Sequence, residues 1–261
     1  WIAIPTTAGT GAEVTRNAVI AWKEKGFKAS IRSEHLLARA AIVDPELGVG
    51  VPPDVTARCG MDALCQLIES YTSTNANPMT DGLALQGTHL AGRALRAAYA
   101  RPDDLDAREA MALAALLSGI TLTNAGLGAV HGLAAPLGAK LPVPHGTVCA
   151  ALLGPVIRAN LAELRQRGWD APAKHSLARY ATIGRTLSGR ADLDESAAGD
   201  AGAQFCDSLA RDLRIPPLGE FGLDQAKAEE IAQLAQKSSS MRYNPVPLSA
   251  ETLKAILLKA M

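Results

Sequence analysis

The chain has no surplus of charge of either sign, no long apolar run and no cysteine framework. Its 26 basic and 26 acidic residues cancel, and neither a basic stripe nor an acidic tail breaks the balance. A phosphate backbone therefore finds no field to attract it, and nucleic acid is not expected as a partner. No apolar run reaches the roughly 20 residues that span a bilayer. The opening Trp1-Ile2-Ala3-Ile4-Pro5 has no basic stretch ahead of an apolar one and no initiator Met, so it does not read as a secretory leader. The four cysteines, Cys59, Cys65, Cys149 and Cys206, contain no CxxC pair, a usage that points to a reducing cytoplasm. Repeats and low-complexity tracts are also absent, as are the G-x-G-x-x-G and P-loop signatures.

What is present is a chain of 261 residues, 48% of them hydrophobic, enough for one large domain or two unequal ones. Residues 1–4 read as a strand stopped by Pro5. Residues 18–22 and 27–31 read as a hairpin around a polar turn at 23–26, and 40–43 as another short strand before Asp44-Pro45. After Pro52-Pro53 the composition turns to long Ala/Leu-rich stretches. Helices are predicted over 54–70, 81–99, 107–124, 147–164, 174–187, 193–213, 225–236 and 250–260, with Asp54, Asp81 and Ser249 as N-caps. The chain thus divides into a β-rich piece, 1–50, and a helical body, 51–261. The first piece is too short to be stable alone. It begins on what reads as a strand already under way, so further chain is expected upstream.

Three segments carry candidate chemistry. The loop 6–15, Thr-Thr-Ala-Gly-Thr-Gly-Ala-Glu-Val-Thr, sets hydroxyls beside glycines that allow close backbone approach, which suits a polar ligand or a phosphate. In Gly60-Met61-Asp62-Ala63-Leu64-Cys65-Gln66-Leu67-Ile68-Glu69, helical spacing puts Asp62, Gln66 and Glu69 on one face. The apolar neighbours leave no clean wet side, so this helix is expected to be buried all round with polar groups facing a cleft. Finally, His131 and His145 lie in an apolar, glycine-rich stretch, each followed directly by glycine, which removes bulk beside the imidazole. One carboxylate and two imidazoles, Asp62, His131 and His145, form a plausible set for catalytic Zn²⁺ or Fe²⁺ with a position open for substrate.

In their order and spacing these segments resemble the iron-containing (group III) alcohol dehydrogenase family. The resemblance runs from IPTTAGTGAEVT through AIVDPEL, GMDALCQLIESY and NAGLGAVHGLAAPLGA to the Pro144-His145-Gly146 triplet. It implies the end of a Rossmann-like α/β nucleotide-binding domain followed by a large all-helical domain, a dehydroquinate-synthase-like fold. It also implies NAD or NADP as cofactor, a divalent metal, a small alcohol or aldehyde as substrate, and a homodimer. By resemblance, Thr6, Thr7, Thr10, Thr15, Lys28 and Val55 contact the cofactor, and Asp62, Gln66, His131 and His145 hold the metal. Gln66 departs from the family, which usually has a histidine there, and Ala135 stands where many members carry another. A neutral amide oxygen is a weaker ligand than imidazole, and the second change removes a candidate proton relay. Two rival readings follow: a non-catalytic, metal-free relative, and a lyase of the dehydroquinate-synthase type.

Overall fold

The computed structural model describes residues 1–22, 27–168 and 170–261, without the side chains of 21–29. The predicted turn at 23–26 and the Lys28 side chain lie outside the described residues. The β-containing part comes first. Strand β1 (Ile2–Ala3) pairs in parallel with β4 (Ala40–Ala41). Between them, β2 (Asn17–Trp22) and β3 (Phe27–Arg32) form the expected antiparallel hairpin, registered Asn17 to Arg32 and Trp22 to Phe27. A 3₁₀ turn at Ala12–Val14 seats the intervening loop against the helices.

The helical body begins at α1 (Pro53–Thr72) and continues through α2 (Pro78–Ala100), α3 (Leu105–Ala125), α4 (Ala129–Lys140) and α5 (His145–Gln166). It ends with α6 (Ala171–Ser188), α7 (Glu195–Asp212), α8 (Gln225–Ala235) and α9 (Ala250–Lys259). Helix α1 is the axis of the bundle, in contact with α2, α3 and α5. From Gly60 to Thr72 every residue is buried, which is the all-round burial its sequence pattern implies. Glycines let the helices approach: a Cβ on Gly60 would sit 2.2 Å from Leu95, and one on Gly184 would meet the backbone oxygen of Ala198. By length and composition α5 would pass as a membrane span, but 67% of that window is buried within the bundle, as in a core helix.

Two N-caps lie upstream of their predicted places. Helix α1 starts at Pro53 after Pro52, because proline's fixed φ and missing N–H suit the first helical turn. Asp54 sits inside that turn and pairs with Arg58. Helix α2 is capped by Asn77, whose side chain accepts from the Met79 and Thr80 amides while Thr80 bonds back, a reciprocal capping box. Asp81 instead faces Arg179, whose guanidinium also stacks 4.1 Å over the Tyr71 ring. Ser249 caps α9 as predicted.

Helix α4 is absent from the predicted set. Gly132, Gly138 and Pro136 lower its propensity, and its own cap residue, Gly128, has no side chain to offer. It is held by partners distant in sequence. Helix α3 ends at Gly126, with φ 78°, and α4 leaves at 98° to it. That turn aims the start of α4 at the middle of α1.

Candidate metal centre and cofactor cleft

Three elements meet where α1, α4 and α5 converge. Helix α1 presents Asp62, Gln66 and Glu69, all buried. Helix α4 brings His131 in its first turn, and α5 begins with His145. The Asp62 Oδ1 atom lies 3.3 Å from His131 Nε2 and 3.5 Å from His145 Nε2. The two imidazoles face each other with centroids 5.3 Å apart and planes tilted by 60°. The His131 side chain is 8% exposed, whereas His145, at the cleft wall, is 42% exposed. Sequence reasoning thus named three side chains that the fold brings together.

The other ends of these groups are held by the protein. Glu69 Oε2 is 2.6 Å from His131 Nδ1, and Glu69 Oε1 accepts the Val130 amide at 2.7 Å. A carboxylate on Nδ1 holds a proton there and turns Nε2 toward Asp62. The second oxygen of Asp62 accepts from the Thr10 hydroxyl at 2.8 Å. Gln66 turns its amide nitrogen to Asp62 at 3.5 Å, while its oxygen accepts from Ser118 Oγ at 3.0 Å. Two thiols complete the surroundings. Cys149 Sγ is 3.7 Å from both His131 Nε2 and His145 Nε2, and Cys65 Sγ is 3.9 Å from His131 Nδ1.

The electrostatics suit a cation. Burial pushes the Asp62 carboxyl up, but the His131 hydrogen bond, the two imidazole charges and Thr10 outweigh it and bring the group down to about 2. His131 moves the other way. Burial favours its neutral form, yet Cys149, Asp62 and Glu69 together raise it well above the ordinary histidine value. A carboxylate, two imidazole nitrogens and a thiol, with ligand atoms all within 4.8 Å of one another, make a donor set that a divalent ion satisfies.

The open cleft beside these residues has a volume of about 680 Å³ and is lined by Thr7, Gly9, Thr10, Val55, Asp62 and His145, among others. Thr6 opens with Thr7 onto a smaller adjoining pocket that reaches Arg108. Thr15 is placed elsewhere: it is buried, and its hydroxyl turns back to the Ala12 carbonyl. Ala135 is exposed on α4. The glycines after the two histidines are tightly packed, and Gly146 also lines the cleft beside His145. A Cβ on Gly146 would lie 2.1 Å from the Arg58 carbonyl oxygen, and one on Gly132 would meet Met241 at 2.7 Å. They let chain pack on chain beside each histidine.

Sequence reasoning missed the supports. Glu69 was visible only as part of a polar stripe. Cys149 follows His145 by four residues, a helical spacing that places both on one face, and this was the available signal. Asn244 gave none. It is buried, accepts the Ala129 amide at 3.1 Å, and donates at 2.7 Å to both Asn160 Oδ1 and the Val246 carbonyl. Asn244 and Glu69 thus cap the first turn of α4 from two sides. Asn244→Ala takes the buried partner from Asn160 Oδ1, the Ala129 amide and the Val246 carbonyl, while Asn160 Nδ2 keeps its bond to the Tyr180 hydroxyl. We expect a loss of about 3 kcal/mol in chemical denaturation and roughly tenfold weaker metal binding by titration, because His131 rides on that turn. Full metal affinity in this variant would show that the cap does not position His131.

Comparison with known proteins agrees with this architecture. Residues 56–261 match the profile of the Fe-containing alcohol dehydrogenase family, C-terminal, and residues 1–45 match that of iron-containing alcohol dehydrogenase. The chain is 38% identical over 246 residues to a choline dehydrogenase of Bacillus subtilis (strain 168), covering 94% of this chain and 58% of that protein. Among solved structures, a 1,3-propanediol oxidoreductase superposes with a TM-score of 0.90 at 35% identity, over 100% of this chain and 65% of that one. A sulfoacetaldehyde reductase from Bifidobacterium kashiwanohense, solved in complex with NAD⁺, gives 0.84 at 30% identity, over 99% and 64%. The chain therefore spans about three-fifths of the length of the relatives it matches.

Proposed function

Because the chain belongs to the iron-containing alcohol dehydrogenase family, we propose that it carries the metal centre and part of the cofactor cleft of an NAD(P)-dependent alcohol or aldehyde oxidoreductase. In this reading residues 1–50 are the end of the nucleotide-binding domain and 51–261 the catalytic domain. The observation that carries it is the convergence of Asp62, His131 and His145 on one point at the wall of a threonine-lined cleft. The reading also includes a homodimer and a cytoplasmic location, the latter supported by four free cysteines.

When bound, a divalent metal (Fe²⁺ or Zn²⁺) held by Asp62, His131 and His145 supplies a Lewis acid for the substrate oxygen, and the nicotinamide supplies or accepts hydride. The chain's own residues do the positioning. Asp62, ionised down to about pH 2, contributes a fixed negative charge. Glu69 keeps the His131 proton on Nδ1 and so leaves Nε2 free to coordinate. Thr10 spends its hydroxyl proton on Asp62, which ties the cofactor-facing loop to the metal-facing carboxylate. Thr7 and Val55 line the same cleft, one offering a hydroxyl and the other an apolar surface to the nicotinamide. His145 stands at the boundary between cleft and metal centre, where a small alcohol or aldehyde would enter. The test is oxidation of NADH and NADPH by the full-length protein, including the rest of the nucleotide-binding domain, with small aldehydes, after removal of metal and after reloading with Fe²⁺ or Zn²⁺. Turnover restored by one of these ions is the expected result. Absence of turnover with every ion, together with absence of nicotinamide binding, would overturn the proposal.

A further inference from the structure

Four donor atoms surround the point where Asp62, His131 and His145 converge, and the fourth is a sulfur. Building on the metal-centre reading above, we propose that Cys149, in place of Gln66, supplies the remaining protein ligand, so that the ion is held by one carboxylate, two imidazoles and one thiolate.

The distances carry the argument. Around a tetrahedral ion with oxygen and nitrogen ligands at about 2.0–2.1 Å, neighbouring ligand atoms lie roughly 3.3 Å apart. With sulfur at about 2.3 Å, a nitrogen–sulfur edge is roughly 3.6 Å. The structure gives 3.3 and 3.5 Å for the Asp62 Oδ1 edges to the two Nε2 atoms. It gives 3.7 Å for both edges from Cys149 Sγ to those same atoms. A packing thiol has one hydrogen and can donate to only one imidazole at a time. Equal separation from two nitrogens that both face Asp62 is what a shared ion requires.

The rivals fail on the same measure. Cys65, Glu69 and His131 also cluster, but Glu69 Oε2 is 2.6 Å from His131 Nδ1. That is too short for two ligands of one ion and right for a charged hydrogen bond. Gln66 has given its oxygen to Ser118 and shows Asp62 its nitrogen, which has no lone pair to coordinate with. Cys149 is fully buried in α5 and lies one turn beyond His145, so both ligands come from one rigid face. A thiolate among the ligands moves preference toward Zn²⁺ and away from harder ions.

The experiment is loading of metal-free protein with Co²⁺, read by absorption. The wild type and Cys206→Ser, whose cysteine lies on α7 away from the cluster, should take up one ion and show the near-ultraviolet thiolate-to-cobalt band. Cys149→Ser should lose that band and bind at least about 10- to 100-fold more weakly, while Gln66→Ala retains it. X-ray absorption of the Zn²⁺-loaded wild type needs no variant and should show one sulfur scatterer at about 2.3 Å. One bound ion per chain with nitrogen and oxygen neighbours only would overturn the assignment and leave the metal-centre reading intact. A band that survives in Cys149→Ser would overturn it too. Failure of the wild type to bind either ion would overturn both.

Discussion

Asp62→Ala should abolish stoichiometric metal binding and lower turnover by on the order of 1000-fold. Among the described residues, Asp62 alone brings a carboxylate oxygen to both imidazoles, and its other oxygen anchors Thr10. Removing it leaves two histidines whose neighbours still favour the protonated state, with no carboxylate to share an ion. Lewis-acid stabilisation is worth several kcal/mol, and each 1.36 kcal/mol is about tenfold in rate. Metal analysis after gel filtration and steady-state kinetics with saturating nicotinamide check the result; a variant that keeps one ion per chain would refute it. The same geometry sets a pH dependence in the wild type. His131 and His145 both titrate above the ordinary histidine value, and an incoming ion must displace their protons. Metal affinity should therefore rise as pH rises through those values. Asp62, ionised above about pH 2, adds no step in that range. Titration of metal-free protein across neutral pH would show the slope, and affinity independent of pH there would contradict it.

The second large effect is expected from Gly11→Ala. Gly11 adopts φ 67°, and a Cβ there would lie 2.3 Å from the Ala115 carbonyl oxygen and 2.7 Å from the Gly119 nitrogen. The obstruction is helix backbone, so no side chain can swing aside. The left-handed conformation costs about 1–2 kcal/mol for a residue with a Cβ, and overpacking adds about 1–3. A total of about 3 kcal/mol is expected in chemical denaturation. The loop should also lift from α3, breaking the contacts of Gly9 with Ser118 and of Thr10 with Asp62. Nicotinamide affinity should then fall at least about tenfold by fluorescence titration, a loss of one or more hydrogen bonds' worth of binding. Gly50→Ala is the control. It has φ 75° but nothing within 4 Å of a Cβ, so it should cost only the backbone term. Equal losses in the two variants would mean that the close approach of loop and helix carries no energy.

These residues also show which parts of the structure are legible in the sequence. Helix α1 is legible because polar and apolar residues surround it at helical spacing, and that pattern by itself reports burial. The hairpin is legible because two runs rich in β-branched and apolar residues flank a polar turn. Asp62, His131 and His145 are legible because an acid on a helix with no wet face and two histidines in an apolar, glycine-rich stretch need partners to be buried there. Helix α4 is not legible. Local propensity argues against it, and its stability comes from Glu69 and Asn244, whose acceptors reach its first amides from 61 and 115 positions away. Thr15 reads like the other threonines of its loop, but the 3₁₀ turn at Ala12–Val14 carries it behind the cleft. The glycines after His131 and His145 are closely packed against Met241 and the Arg58 backbone, contacts no local pattern can reveal. Gln66 shows the same limit. Its position relative to Asp62 suggests a ligand, and only the placement of Ser118 explains where its oxygen goes.

The capping of α4 also bears on how the protein is made. The ribosome delivers His131 long before Asn244, and the amide that Asn244 receives, on Ala129, lies 115 positions earlier in the chain. Until that length has been synthesised, the turn bearing His131 has one of its two braces and no settled direction. A nascent chain can thus display its histidines and cysteines to cellular ions without yet owning a finished cradle. On the proposed reading, selection among those ions waits until Asn244 has been made and has reached the first turn of α4.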